Sequence, residues 1–179
     1  MMWRLAICAL LAGVPASALA QDAGAENDQL SVPIFAAGGK PAGTISMTDT
    51  PNGVLIVANF EAGVLAAGEH AMHFHETGDC SDTAAFETAG DHHNPTGAEH
   101  GYMPEGGPHA GDLPNIMIVD GQKSEVDVFS PMVRFSDGDA PLLDEDGSAL
   151  VIHAGADDYT SQPSGESGDR IACAELTGG

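Results

Sequence analysis

Short alternations of apolar and polar residues recur along the chain and predict β-strands. In residues 31–36, 42–49 and 53–61, apolar side chains tend to recur at every second position, as on one face of a strand. Gly38-Gly39 separates the first two segments and Pro51-Asn52-Gly53 separates the last two. Such turn residues between alternating segments predict β-hairpins.

The same pattern returns in the second half of the chain. Segments 115–120 and 124–130 flank a predicted turn at Asp120-Gly121, and segments 147–154 and 170–176 close the chain. No stretch shows the period of an amphipathic helix. Many short strands with turn residues between them favour an antiparallel β-sandwich or barrel. The fold class that we expect is therefore all-β.

Two long segments interrupt this rhythm and are candidates for functional loops. Residues 76–114 are rich in glycine, histidine, proline and acidic residues, and residues 154–169 have a similar composition. A loop as long as the first is unusual in a compact domain unless something organises it. Metal ligands and a disulfide would provide that organisation.

The N-terminal residues have the pattern of a secretory signal peptide. Arg4 precedes a short apolar run, and Ala18-Leu19-Ala20 fits the small-x-small pattern of a cleavage site. The run is too short for a membrane-spanning helix. We expect a signal peptide at residues 1–20, a flexible segment at 21–30 and one domain at 31–179. Cleavage near Ala20 would leave a periplasmic or otherwise secreted protein.

The chain is strongly acidic, which limits its partners. It has 27 acidic and 5 basic residues, and its formal net charge is −22. Such a surface disfavours nucleic acid and anionic membranes as partners and repels small anions at long range. Once the signal peptide is removed, the basic residues are Lys40, Lys123, Arg134 and Arg170.

Export also bears on the cysteines. Cys8 lies in the signal peptide, so the mature chain retains Cys80 and Cys173. An even pair of cysteines in an oxidising compartment favours a disulfide bond. Two separate buried thiols are the alternative.

The histidines are concentrated in one part of the chain. All eight lie between residues 70 and 153. His73 and His75 are two residues apart, which in a strand places both imidazoles on one face. His70 has the opposite parity, and His153 lies near the end of another predicted strand. Nitrogen ligands on rigid strands suit copper.

The segment 76–114 supplies further histidines and a carboxylate. These residues are His92, His93, His100, His109 and Asp112. Nitrogen ligands with one carboxylate suit zinc in a four-coordinate site. A strand site and a loop site together indicate two metal ions with different roles. The alternative is a histidine-rich segment that binds metals non-specifically, and it explains neither the strand parity nor the cysteine pair.

These segments resemble the copper–zinc superoxide dismutases, and the exported bacterial branch of that family most of all. The shared motifs are, in order, HFHETGDC, GDHHNP, EHG, PHAGDLPN, LVIHAGADD and GDRIAC. The resemblance covers roughly residues 31–176. It implies an eight-stranded antiparallel Greek-key sandwich or flattened barrel with two long functional loops. It also implies superoxide dismutation, an antioxidant defence outside the cytoplasm, at a copper that cycles between Cu(II) and Cu(I).

The resemblance implies one copper and one zinc ion per subunit and a ligand set for each. The copper ligands would be His73, His75, His92 and His153. The zinc ligands would be His92, His100, His109 and Asp112. The residues alone leave His92 and His93 open as the shared ligand, and the family pattern Gly-x-His-x-Asn-Pro selects His92.

Other residues gain supporting roles from the same resemblance. Asp157 would hydrogen-bond one ligand of each metal, and His70 would bond backbone groups. Cys80 and Cys173 match the family disulfide, which would pin the long loop to the last strand.

Two residues would take part in the reaction itself. Arg170 would guide the superoxide anion beside copper, and His92 would also store a proton. Family members often carry lysines in the loop after the last copper ligand, where this chain has Gly155 and Gln162. We therefore expect long-range steering of the anion to be weak.

Two other functions remain open at this level. The first is a non-catalytic copper- and zinc-binding module on the same scaffold, and the second is a secreted structural β-sandwich. The sequence allows a monomer or a homodimer.

Overall fold

The computed structural model describes residues 28–178, which form nine β-strands and two short 3-10 helices. The strands are β1 (Gln29–Ala36), β2 (Lys40–Thr50), β3 (Gly53–Phe60), β4 (Gly68–His70), β5 (Met72–His75), β6 (Ile116–Ile118), β7 (Ser124–Ser130), β8 (Ser148–His153) and β9 (Arg170–Leu176). The 3-10 helices are Ala37–Gly39 and Glu87–Ala89. The expected signal peptide lies outside the described residues, as does most of the segment expected to be flexible, whose Gln29 and Leu30 belong to β1.

The strands form antiparallel sheets. Seven of the described strands make one sheet in the order β5-β8-β9-β1-β2-β3-β7, and β4 pairs with β6 in a second sheet. Ala71 alone separates β4 from β5, so one extended segment changes its partner from β6 to β8. If β4 and β5 are counted as one strand, the described strands number eight.

The order of the strands requires long crossing connections. The neighbours β1–β9, β3–β7 and β5–β8 are not consecutive in the chain, as in Greek-key folds. The hairpin predicted at Pro51-Asn52-Gly53 joins β2 to β3, where Thr50 pairs with Gly53. The expected all-β class is thus confirmed.

The core explains why β5 and β8 form a rigid base for a site. Ile34, Ile45 and Ile56 are fully buried in the main apolar cluster. Every residue of β5 and of β8 is buried as well. Close packing around both strands leaves little freedom for the side chains that they carry.

The two expected functional loops follow these two strands. Residues 76–115 connect β5 to β6, and residues 154–169 connect β8 to β9. A disulfide joins Cys80 in the first loop to Cys173 in β9, with Cα atoms 5.9 Å apart. Within residues 28–178, no helix has the length and apolarity needed to cross a membrane.

Candidate metal centre

The antiparallel pairing of β5 with β8 brings three histidines together. His73 pairs with Val151 and His75 with Ala149, so both imidazoles lie on one face of the ribbon. His153 ends β8, where a register shift pairs it with Arg170 of β9. His73 and His75 therefore share a face, as strand parity predicted.

Four histidines form what we call the strand cluster: His73, His75, His92 and His153. One ligand atom of each lies within 4.8 Å of the others. All four residues are buried. The ring nitrogens without a hydrogen-bond partner are His73 Nδ1, His75 Nε2, His92 Nε2 and His153 Nε2. Buried polar atoms without partners are rare and costly, so four of them in one cluster fit a bound metal ion.

The other ring nitrogens of the strand histidines are hydrogen-bonded. His75 Nδ1 donates to Gly90 O at 2.9 Å, and His153 Nδ1 donates to Gly168 O at 3.1 Å. His73 Nε2 donates to Asp157 Oδ2 at 2.8 Å. These bonds fix the tautomers and orient the unpaired nitrogens toward the cluster.

Burial keeps most of these imidazoles neutral. It lowers the pKa of His75 well below its ordinary value, with help from the neighbouring histidines. It also lowers the pKa of His92 to about 4 and the pKa of His153 to about 3. Neutral imidazoles are the form that binds metal ions, so these nitrogens need lose no proton at neutral pH.

A second group, the loop cluster, consists of His92, His100, His109 and Asp112. Their ligand atoms again lie within 4.8 Å of one another. Asp112 Oδ1 lies 3.1 Å from His92 Nδ1, 3.0 Å from His100 Nδ1 and 3.4 Å from His109 Nδ1. Three nitrogens and one carboxylate are a ligand set that suits zinc.

Asp112 is held in its ionised form. Its Oδ2 accepts hydrogen bonds from the backbone N–H groups of Gly101 at 2.8 Å and His109 at 3.0 Å. Burial by itself would raise its pKa, but the hydrogen bonds from His100, His109 and His92 outweigh burial. The pKa of Asp112 therefore stays well below its usual range, and the carboxylate is available to a cation.

His92 belongs to both clusters. Its Nε2 is the nitrogen without a partner, and its Nδ1 faces Asp112 in the loop cluster. His93 is also buried, but it belongs to neither cluster. The structure thus places His92, and not His93, between the two groups.

Asp157 links the two clusters through one carboxylate. Its Oδ2 accepts from His73 and its Oδ1 accepts from His100 Nε2 at 3.0 Å. Burial would lower the pKa of His100, but its bonds to Asp112 and Asp157 outweigh burial and raise it to about 9. In the absence of a metal ion, His100 is therefore a cation between two carboxylates.

Residues without a predicted role hold Asp157 in place. Asn115 accepts from the Asp157 N–H and donates to the Asp157 carbonyl, both at 2.9 Å. Tyr159 N–H donates to Asp157 Oδ1 at 2.6 Å. Gly165 has φ +69°, and a Cβ atom there would collide with Asp157 Oδ1. Asn115 ends the motif PHAGDLPN, whereas nothing in the sequence singled out Tyr159 or Gly165.

An open cleft of about 470 Å³ leads to the strand cluster. His75, His92, His153 and Arg170 line it, together with the carboxylates of Glu76 and Asp91. Arg170 therefore lies in the same open cleft as three histidines of the strand cluster.

Arg170 is held in this cleft by two backbone carbonyls. Its Nη1 donates to Phe86 O at 2.8 Å and its Nη2 donates to Gly90 O at 2.7 Å. Gly90 O also accepts from His75 Nδ1, so the guanidinium and one cluster histidine share an anchor. The disulfide ties this segment to the strand that carries Arg170.

His70 lies outside both clusters, as its parity indicated. Its Nδ1 is 2.7 Å from His153 O, and its Nε2 is 3.0 Å from Ala66 O. These contacts are with backbone groups, so His70 supports the end of β8 and binds no metal in this geometry.

Comparisons with known proteins agree with this site. The family model for copper/zinc superoxide dismutase matches residues 41–176. A superoxide dismutase [Cu-Zn] of Aquifex aeolicus is 43% identical over 136 residues, which cover 75% of this chain and 78% of that protein. One from Caulobacter vibrioides is 41% identical over 143 residues, which cover 78% and 80%.

Solved structures show the same fold. A superoxide dismutase-like protein of Bacillus subtilis has a TM-score of 0.76 and 36% identity, covering 82% of this chain and 97% of that one. The Cu/Zn superoxide dismutase of Brucella abortus has a TM-score of 0.67 and 28% identity, covering 83% and 99%. The family match, these relatives and the two histidine clusters show that the chain belongs to the copper/zinc superoxide dismutase family.

Proposed function

We propose that this superoxide dismutase binds copper in the strand cluster and zinc in the loop cluster, one ion of each per subunit. Family membership gives the reaction, in which two superoxide ions and two protons yield dioxygen and hydrogen peroxide. This assignment rests on the position of His92. Its Nε2 belongs to the strand cluster, and its Nδ1 faces Asp112 in the loop cluster.

The strand cluster suits copper because its donors are nitrogens on a rigid ribbon. Copper bound by His73, His75, His92 and His153 would supply the one-electron chemistry, accepting an electron from one superoxide and returning it to a second. His92 Nε2 would take up a proton in the first half and release it in the second. Its Nδ1 would stay in the loop cluster, so the ring would keep its position.

The loop cluster suits zinc because it combines three imidazoles with one carboxylate. His92, His100, His109 and Asp112 would complete a tetrahedral site. A zinc ion there has no redox chemistry. Its role would be to hold His92 in place, and Asp157 would couple the two sites through His73 and His100.

Arg170 would bind the anion before electron transfer. It lines the same cleft as three residues of the strand cluster, and two carbonyls fix its guanidinium. With few other basic residues in the chain, this cation would dominate the local field. The net charge of −22 and the absence of lysine in residues 154–169 would keep attraction of the anion short in range.

We also propose that the enzyme works in the periplasm or is otherwise secreted. The disulfide between Cys80 and Cys173 fits an oxidising compartment, and residues 1–20 have the pattern of a signal peptide. Its surface favours neither nucleic acid nor membrane as partner, and it would act as a monomer or a homodimer.

Metal removal and separate restoration test the assignment. Protein dialysed against a chelator should regain dismutation when copper is restored, and it should remain inactive with zinc alone. Copper spectroscopy should show nitrogen ligands only. Full occupancy of both metals without dismutation would instead support a non-catalytic metal-binding module.

A further inference from the structure

We propose that Gln162 is a positioning residue for the zinc site, where its side-chain amide clamps the backbone of His100. This inference rests on the proposed binding of zinc by the loop cluster. It assigns a structural role to one residue of the loop 154–169, which has no basic residue.

The clamp is reciprocal. Gln162 Oε1 accepts from the His100 N–H at 2.8 Å, and Gln162 Nε2 donates to the His100 carbonyl at 2.9 Å. One planar amide thus satisfies both backbone polar groups of a residue 62 positions away. Because His100 lies in no strand or helix, no regular backbone ladder holds it in place.

Gln162 is itself held in position. Asp158 Oδ1 accepts from the N–H groups of Thr160 and Ser161, both at 2.8 Å, which forms a turn just before Gln162. Gln162 Nε2 also donates to Thr160 O at 3.1 Å. The amide therefore reaches His100 from an ordered base.

The same loop grips His100 at two points. Asp157 binds the ring at Nε2 and Gln162 binds the backbone, while Asp112 binds the other ring nitrogen. Fixing both the backbone and the ring leaves the imidazole little freedom to turn. The direction of His100 Nδ1 toward the zinc position would thus depend on residues 154–169.

A lysine at position 162 could not make this clamp. Its ammonium group can donate but has no acceptor for the His100 N–H. At this position, a steering cation and a clamped zinc ligand therefore exclude each other. The chain has the clamp.

The test measures zinc and copper retention separately in the fully metallated enzyme. Gln162→Ala and Gln162→Lys are compared with Glu166→Ala, which truncates an exposed side chain in the same loop. The zinc and copper affinities of each variant are measured in parallel by competition with a chelator at neutral pH. We expect both Gln162 variants to bind zinc roughly 10- to 100-fold more weakly, the range for residues that support metal ligands. Copper retention should change little.

The pattern of metal loss distinguishes a local clamp from a general contribution to folding. Loss of both metals together, with a lower Tm, would show a general structural role and contradict the proposal. Retention of zinc as in Glu166→Ala would also overturn it. If His100→Ala likewise retains zinc, the proposed zinc site itself is wrong. If Gln162→Ala does not fold, Gln162→Glu, which keeps the acceptor but loses the donor, serves as the test and should weaken zinc binding selectively.

Discussion

The strand cluster and the loop cluster hold their histidines by different means. His73 and His75 are fixed by the pairing of β5 with β8, and their orientation follows from parity. His100 and His109 lie in irregular backbone, where hydrogen bonds to Asp112 hold both residues and a hydrogen bond to Gln162 also holds His100. A regular sheet aims side chains by itself, whereas a loop needs a separate contact for each.

The clusters also differ in how they satisfy their polar atoms without a metal ion. In the strand cluster, the converging nitrogens have no partner and burial lowers the pKa of His75 and His153. In the loop cluster, the nitrogens contact Asp112, and the carboxylates raise the pKa of His100. The strand cluster is therefore ready to bind a metal ion, while the loop cluster must first lose a proton from His100.

The largest expected effect separates the two clusters by function. His153→Ala should lose copper and reduce dismutation to the rate of superoxide decay in buffer, because His153 belongs to the strand cluster alone. His109→Ala should lose zinc and keep part of the copper-dependent activity. Metal analysis and superoxide decay assays check both variants, and equal loss of both metals in each would break the distinction.

Asp157 should affect both clusters, since its two oxygens bind one histidine from each. Asp157→Asn replaces one acceptor oxygen by a donor, and we expect zinc and copper affinity to fall roughly 10- to 100-fold. Glu166→Gln is the matched control, because it neutralises an exposed carboxylate in the same loop. Competition with a chelator measures the zinc and copper affinities of both variants. An effect confined to one metal would argue against a shared carboxylate.

Arg170 should affect the anion without affecting the metals. Arg170→Ala should lower kcat/KM about 10-fold or more, in the range by which a focused field raises association rates. Arg170→Lys should recover part of the lost kcat/KM. Lys123→Ala, which removes an exposed ion pair with Glu61, should leave kcat/KM unchanged. Metal content should stay that of the parent enzyme. An unchanged kcat/KM in Arg170→Ala would remove its role as anion guide.

The metal-free protein should be most stable near pH 6.5. The lowered pKa values of His92 and His153 mean that the unfolded chain binds more protons as the pH falls from 6.5 toward 4, so stability declines in that range. The raised pKa of His100 adds stability that is complete below pH 6.5 and lost as the pH rises toward 9. Measurements of Tm for the metal-free protein between pH 4 and pH 9 test this prediction. A Tm that climbs steadily from pH 6.5 to 4 would contradict it.

The smallest expected effect concerns ionic strength. Because the chain has a net charge of −22, added salt screens repulsion of superoxide as well as attraction by Arg170. The dismutation rate should change little with added salt or rise slightly, as rate measurements over a range of ionic strength would show. A steep fall would indicate strong long-range steering.

The sequence predicted the strand side of the site better than the loop side. Alternating side chains give the faces of β5 and β8 directly, so His73 and His75 could be placed from parity alone. His92 and His93 could not be separated by the residues, because adjacent loop positions have no fixed direction. The contacts of Asn115 with Asp157 and of Gln162 with His100 arise only when two loops that are distant in sequence meet.

Gly165 matters to both clusters although it is not a ligand. No larger side chain fits there without displacing the oxygen of Asp157 that receives the His100 ring proton. In a saturation mutagenesis screen, this position should be as intolerant as a histidine that coordinates metal. A glycine with no chemistry of its own would then rank beside the most reactive residues of the enzyme, because the Asp157 carboxylate, which bonds one histidine of each cluster, occupies the space where a side chain would lie.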